Sequence, residues 1–192
     1  MIKLIEELTV CYVFCQGKVL LGMKKLRLGA GRYNGFGGHV EKGESKLKAA
    51  IRELLEESGL IARKIKKLGI VDFTFEDRPG VIRRVRFFKC NNFSGELIET
   101  DEMCPKWFPV ESIPYGEMWP SDFSLLSKTI ANKKFAGRMR YDSPSTKTFT
   151  STIIEDTVKE VKFLWPVEIK CYVESLFVSI RTKIGIKHEG RK

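Results

Sequence analysis

This chain has few of the residues that build metal–thiolate centres. Its five cysteines (Cys11, Cys15, Cys90, Cys104 and Cys171) contain no Cys-x-x-Cys pair, and His39 and His188 are its two histidines. That pattern excludes a zinc finger or ribbon. An odd cysteine count without a disulfide framework reads as reduced thiols. No run of about eighteen uncharged apolar residues is present, which argues against a helical membrane span. The opening Met-Ile-Lys-Leu-Ile-Glu-Glu-Leu lacks the basic-then-apolar order of a secretory signal, and no amphipathic Arg-rich leader is evident. A cytoplasmic protein is therefore expected, with nuclear or mitochondrial pools as alternatives. Acidic residues are also in deficit: 24 Asp and Glu against 34 Lys and Arg give a net charge of +10. Such a balance suits an acidic partner, and a nucleoside triphosphate, a nucleic acid and an anionic membrane surface all satisfy it.

What is present reads as globular. At 43% hydrophobic and 11% aromatic over 192 residues, the chain can bury a substantial core. Residues 8–15 and 19–23 are short β-forming runs separated by Gln16-Gly17, a hairpin pattern. Residues 26–34 read as a loop, and Gly35-Phe36-Gly37-Gly38 lets backbone approach a neighbour closely. The spacing of Leu47, Ala50, Ile51, Leu54 and Leu55 predicts a helix over 44–58 with these five toward the core, closed by Gly59. Strands are expected at 64–75 and 81–90 around Glu76-Asp77-Arg78-Pro79-Gly80, and at 106–110. A second helix is expected at 122–134, then two short strands within 135–150 around Asp142-Ser143-Pro144. Strands mixed with helices argue an α/β or α+β domain. From about residue 162 the character changes: Phe163-Leu164-Trp165-Pro166 opens an apolar stretch, broken by Glu168, Lys170 and Glu174, that ends in Arg191 and Lys192. We expect a domain over 1–161 and a C-terminal extension of unknown role over 162–192. An added helix, strand or loose terminus is the plain reading of that extension; a partner-binding or membrane-surface tail is the sharper one.

The densest information lies between Gly38 and Leu60. Glu53, Glu56 and Glu57 fall at i, i+3 and i+4, neighbours on one face of a helix. Three like charges on one stripe destabilise it unless a cation joins them. Clustered carboxylates are what Mg²⁺ requires, with substrate phosphates and waters completing its shell. A solvated charged face is the bland alternative, but it explains neither Gly38 nor Gly59.

Gly38, Glu44, Arg52, Glu53, Leu54, Glu56, Glu57, Gly59 and Leu60 together resemble the Nudix box at every defined position. Four further segments, Lys18-Val-Leu-Leu-Gly-Met-Lys-Lys25, Gly29-Ala-Gly-Arg-Tyr-Asn-Gly-Phe-Gly-Gly38, Thr100-Asp-Glu-Met103 and Met118-Trp-Pro-Ser-Asp122, resemble the branch of that family acting on oxidised purine nucleoside triphosphates. The similarity spans residues 4–161. It implies an α/β class Nudix α/β/α sandwich with a mixed β-sheet. It also implies Mg²⁺-dependent hydrolysis, with Mn²⁺ as a substitute, of 8-oxo-dGTP or 2-hydroxy-dATP to the monophosphate and pyrophosphate. The expected partner is this small-molecule substrate alone, bound by a monomer without a stable nucleic-acid complex. Carried over by position, the metal ligands are Glu53, Glu56, Glu57, Glu102 and a backbone carbonyl at Gly37 or Gly38. Glu53 or Glu102 is the water-activating base, while Glu44 and Arg52 form a structural ion pair. The implied substrate site comprises Thr9, Asn34, Phe36, Gly37, Gly38, Phe73, Met103, Trp119, Pro120, Ser121 and Asp122, with Lys24 near the phosphates.

Each pocket residue also has a plainer role: Trp119 as core, Asp122 as a helix cap, Lys24 as a surface charge. Ser121 departs from the family, which has two adjacent aspartates there whose alternative protonation accepts both oxidised guanine and oxidised adenine. With one carboxylate missing, a narrower or altered base preference is expected. Leu28 and Ile82 also depart from the pattern but keep the wall apolar, and His39 sits at a variable position without a catalytic role. Other Nudix substrates (methylated purine triphosphates, dinucleoside polyphosphates, RNA caps) share the same box. A non-catalytic nucleotide- or RNA-binding module is a reading from another class, and the intact carboxylate set counts against it.

Overall fold

Alternation along the first strand sets the architecture. In β1 (Leu4–Cys15), Val10 and Tyr12 enter one core cluster and Cys11 and Val13 another, and all four are buried. β2 (Lys18–Lys24) repeats the pattern, with Val19 and Leu21 on one side and Leu20 on the other. Strands apolar on both faces need a cover on each. Helix α1 (Lys46–Ser58) supplies Ala50 and Leu54 to the Cys11 side. Helix α2 (Asp122–Ile130) supplies Leu125 and Leu126 to the Tyr12 side. The computed structural model describes residues 4–141 and the strand at 149–155.

The remaining strands are β3 (Tyr33–Asn34), β4 (Ile61–Phe75), β5 (Val81–Ser94), β6 (Met103–Pro109), β7 (Phe135–Tyr141) and β8 (Phe149–Glu155). They form one eight-stranded sheet in the order β3-β2-β1-β5-β4-β7-β8, with β6 on β2. The β1/β5 and β4/β7 pairs are parallel and the others antiparallel. A mixed sheet with a helix packed into the core on either face is the α/β arrangement expected.

Several element limits differ from the sequence reading. The hairpin turn falls at Gln16-Gly17 as expected, both left-handed (φ 47° and 73°), the hand that matches strand twist; the limits of other elements move. Helix α1 starts two residues late because Ser45, not Glu44, caps it: its Oγ accepts the Lys48 N–H at 3.2 Å. The seated face of α1 is also rotated. Leu47 and Leu55, expected in the core, are 46% and 44% exposed, whereas Ala49, Ala50, Leu54, Glu57 and Ser58 are buried. Polar partners inside permit this, since Glu57 takes the Gly37 N–H and Ser58 Oγ donates to the Leu54 carbonyl. Helix α2 stops at Ile130, short of 134, because Asn132 turns left-handed (φ 58°) and the Lys133 N–H closes on the Lys128 carbonyl. β6 begins at Met103 rather than 106, drawn out by a continuous ladder to β2. The two late strands are β7 and β8, the second starting at Phe149; Asp142-Ser143-Pro144 lies outside the described residues.

The chain divides into one unit at Met1–Glu160 and another at Val161–Lys192. The expectation for 162–192, with Cys171 and His188, lies outside the described residues. The four cysteines among the described residues are unpaired, and no helix there is long and apolar enough to cross a membrane.

Candidate active site

The site begins where chain from 34 to 40 crosses the inner edge of β1. Cys11 and Phe36 exchange backbone hydrogen bonds at 2.7 and 3.0 Å, and the Thr9 N–H donates to the Gly38 carbonyl at 2.9 Å. The approach leaves no room for side chains. A Cβ on Gly37 would lie 2.0 Å from the Thr9 carbonyl oxygen, and one on Gly38 would lie 2.6 Å from Glu53 Oε1. These glycines let the crossing segment fit between β1 and α1. Gly37 then donates its N–H to Glu57 Oε2 at 2.8 Å. The Gly38 carbonyl is committed to Thr9, while the Gly37 carbonyl accepts from no described residue, so of the two it is the one left to face a ligand.

Around this crossing the carboxylates lean on cations. Arg52 donates to both oxygens of Glu44 (3.0 and 2.9 Å), to Glu53 Oε1 (2.9 Å), to Glu56 Oε2 (3.0 Å) and to the His39 carbonyl (3.1 Å). The Glu44–Arg52 pair expected at the loop–helix junction is present as a bidentate fork, and Arg52 holds the Glu44 carboxyl below its usual range. Glu53 is pushed up by burial, with Arg52 opposing. Glu57 is pushed up to about 7, chiefly by burial, against the Gly37 N–H and Lys24; the charges of Glu53 and Glu102 raise it further. Lys24 Nζ stands 3.9 Å from Glu57 Oε1, and Arg27 stands 3.3 Å from Glu102 Oε1. Hard oxygen donors that repel one another around a desolvated carboxylate fit a divalent cation. Among the described residues no three acidic, His or Cys side chains converge at ligand distances, because each carboxylate is turned to an Arg, a Lys or an N–H.

A cavity of about 550 Å³ continues from these carboxylates toward α2. Glu53, Glu57 and Glu102 line it together with Thr9, Lys24, Asn34, Gly37, Gly38, Phe73, Met103, Trp119, Ser121 and Asp122. Three expected site residues do not. Phe36 is fully buried in the core beside Ala50 and Leu54, its ring filling the space beneath Gly22. Glu56 is mostly exposed on α1 and paired to Arg52, and Pro120 is not part of the lining. Residues that the sequence reading passed over, Tyr12, Arg27, Phe75, Arg83 and Tyr141, do line the cavity. Tyr12 and Tyr141 read as ordinary strand core, and only the crossing at 34–38 and the β4/β7 pairing bring them to one place.

At this end, aromatic packing fixes the geometry. The Arg32 guanidinium sits 5.0 Å over the Trp119 ring and donates to the Met118 carbonyl at 3.1 Å. Tyr141 and Phe75 meet Trp119 edge-on, at 5.5 and 6.4 Å. Trp119 thus belongs to the cavity wall and is packed against the core at once. Asp122 is buried, and burial pushes its carboxyl up to about 7, against the Trp119 N–H and Arg32. Its Oδ2 accepts that N–H at 3.1 Å, so it braces the Trp119 backbone and does not cap α2. Ser121 Oγ accepts from the Tyr141 hydroxyl at 2.6 Å. Thr9 Oγ1 and the Tyr12 hydroxyl are buried with no hydrogen-bond partner among the described residues, a state that costs about 1–3 kcal/mol per group when no other partner is found.

Comparison with known proteins gives concordant results. The NUDIX domain model matches residues 7–128. The chain is 40% identical over 157 residues to the "Oxidized purine nucleoside triphosphate hydrolase" of Danio rerio, covering 82% of this chain and 96% of that protein. It is 40% identical over 138 residues to the protein of the same name from Mus musculus, covering 72% and 88%. Among solved structures, a MutT protein from Bacillus halodurans superposes with a TM-score of 0.67 at 24% identity, covering 79% of this chain and 97% of that one; this last likeness concerns the fold.

Proposed function

The chain belongs to the NUDIX family, and from that premise we propose that it hydrolyses oxidised purine nucleoside triphosphates to the monophosphate and pyrophosphate, clearing damaged nucleotides from the pool. The supporting observation is one cavity with two chemistries: Glu53, Glu57 and Glu102 at one end, Phe73, Trp119, Asn34 and Asp122 at the other. Relatives bearing the name of this activity match most of the chain.

Nudix hydrolases generally need a divalent metal. Here we assign Mg²⁺, with Mn²⁺ as a substitute, to Glu53, Glu56, Glu57, Glu102 and the Gly37 carbonyl. When bound, it lowers the pKa of the attacking water and neutralises charge on the leaving pyrophosphate. Glu53 or Glu102 accepts the proton of that water. Lys24, 3.9 Å from Glu57, pairs with phosphate oxygens. At the other end, Trp119 has Arg32 over its ring and leaves its cavity side to stack on a purine. Asn34 Oδ1 is committed to the Gly35 N–H at 2.8 Å, so its amide hydrogens are left to meet the base edge. Ser121 is engaged with Tyr141, and Asp122 is the one carboxyl of the adjacent pair. A single carboxyl leads us to expect unequal treatment of 8-oxo-dGTP and 2-hydroxy-dATP. The working form is a cytoplasmic monomer.

The test is pyrophosphate release with Mg²⁺ from 8-oxo-dGTP, 2-hydroxy-dATP, dGTP and dATP, beside Glu57→Gln. We expect preference for an oxidised base, and a loss on the order of 10³-fold in the variant. Equal turnover of oxidised and unmodified nucleotides would remove the substrate assignment and leave the hydrolysis.

A further inference from the structure

The cavity contains a hydroxyl whose proton has no acceptor among the described residues. Tyr12 lines the cavity from β1, its side chain is fully buried, and its hydroxyl has no hydrogen-bond partner of normal geometry among the described residues. Buried hydroxyls are paired in the large majority of cases, and one that is not calls for a reason. Three other polar groups of the cavity have theirs: Tyr141 donates to Ser121, Asn34 Oδ1 takes the Gly35 N–H, and Asp122 Oδ2 takes the Trp119 N–H; Thr9 Oγ1 is the other hydroxyl without one among the described residues. The Tyr12 ring lies against Gly35, where a Cβ would come within 2.9 Å of it, so a glycine there makes room for this ring. Gly35, Asn34, Asp122 and Tyr141 line the same cavity as Tyr12, which puts the phenol among the residues that would meet the base edge.

Its chemistry is directional. Burial pushes the phenol well above its ordinary ionisation range, so it stays protonated and can donate. The Gly35 N–H donates to Asn34 Oδ1 at 2.8 Å and also bears on the phenolic oxygen as an acceptor, which leaves the hydroxyl proton to be donated. A donor with no acceptor among the described residues calls for one on the ligand. The C6 carbonyl oxygen of a guanine-type base supplies it, where an adenine-type base carries an amine, itself a donor.

We propose that Tyr12 is a specificity-determining residue of the base pocket, its hydroxyl donating a hydrogen bond to a carbonyl oxygen of the purine, so that guanine-type oxo-purines are favoured over adenine-type bases. This rests on the reading that the purine occupies the Trp119–Asp122 end of the cavity. It complements the neutral Ser121–Tyr141 pair: one carboxyl and a buried phenol meet the base.

The experiment is Tyr12→Phe, which keeps the ring and removes the hydroxyl. Steady-state kinetics on 8-oxo-dGTP and 2-hydroxy-dATP are run beside calorimetric titration of 8-oxo-dGMP and thermal unfolding of the ligand-free protein. Tyr12→Phe is expected to weaken 8-oxo-dGMP binding and raise KM for 8-oxo-dGTP by about tenfold, to change 2-hydroxy-dATP by less than about twofold, and to melt at the same or a higher temperature. Equal effects on both nucleotides, no effect on either, or a lower melting temperature would assign the hydroxyl to packing or to bound water and overturn the proposal. Titration keeps the two readings apart. If unaltered protein binds 8-oxo-dGMP without turning over the triphosphate, the hydrolysis reading fails and Tyr12 is still judged by binding. If it binds no oxidised purine, both fail.

Discussion

At the carboxylate end of the cavity Glu53, Glu57 and Glu102 each lean on a cation or an N–H, while at the base end Ser121 pairs with Tyr141, Asn34 and Asp122 take backbone N–H groups, and the Tyr12 and Thr9 hydroxyls have no hydrogen-bond partner among the described residues. Under the proposed function the first end exchanges partners, its carboxylates turning from Arg52, Lys24 and Arg27 to a metal and a phosphate chain. The second is completed by the ligand, its two hydroxyls gaining a partner when a base arrives. One end supplies charge for chemistry, the other selects. The two should therefore fail differently when perturbed.

The largest separation is expected from Arg52→Gln, because that guanidinium serves Glu44, Glu53 and Glu56 together. Removing it leaves part-buried carboxylates facing one another. We expect kcat to fall on the order of 10²-fold, and urea unfolding to show a loss of about 2–4 kcal/mol, with KM for the base little altered. An unchanged kcat would show that the arginine only fills space. Trp119→Ala should act in the opposite sense. Losing a stacking face is worth about 1–3 kcal/mol per base, so KM should rise roughly 5- to 100-fold while kcat moves less than about threefold. A collapse of kcat in this variant would break the division between the two ends.

The smallest effect concerns Asp122, whose carboxyl is raised by burial from 3.8 to about 7. Between those values the folded protein holds a proton that the unfolded chain has released. Asp122 therefore costs least at low pH, and stability falls as pH rises toward and through 7. Between pH 5 and 8 the decline from this group should be on the order of 2 kcal/mol, measured by urea unfolding without metal. Asp122→Asn should flatten that part of the slope; a slope that survives intact would place its origin elsewhere.

The acidic helix was legible in the sequence because its parts are local. Glu53, Glu56 and Glu57 need only the helical repeat to share a face, and Gly59 closes the helix they stand on. Even so, the apolar spacing of Leu47 and Leu55 misled, since a helix can seat a buried Glu57 and Ser58 when partners wait inside, and periodicity does not report partners. The base end was legible only through resemblance. Thr9, Asn34, Phe73 and the Trp119–Asp122 turn come from four separate segments, and the sheet order that unites them is not written in any window of sequence. Tyr12 was missed for the same reason, because an aromatic in an apolar strand looks like core until the neighbours of its hydroxyl are known. Phe36 differs the other way: the resemblance put it in the substrate site, but it is buried in the core beside Ala50 and Leu54 and does not line the cavity.

Arg52 has one more consequence. It travels on the same helix as the acids it steadies, so α1 brings along its own removable counterion. The acids of the helix are thus balanced from within the chain, and on the metal assignment proposed above, loading an ion is a trade between two positive partners. That assignment expects a scarcity of metal to silence the protein without unmaking it.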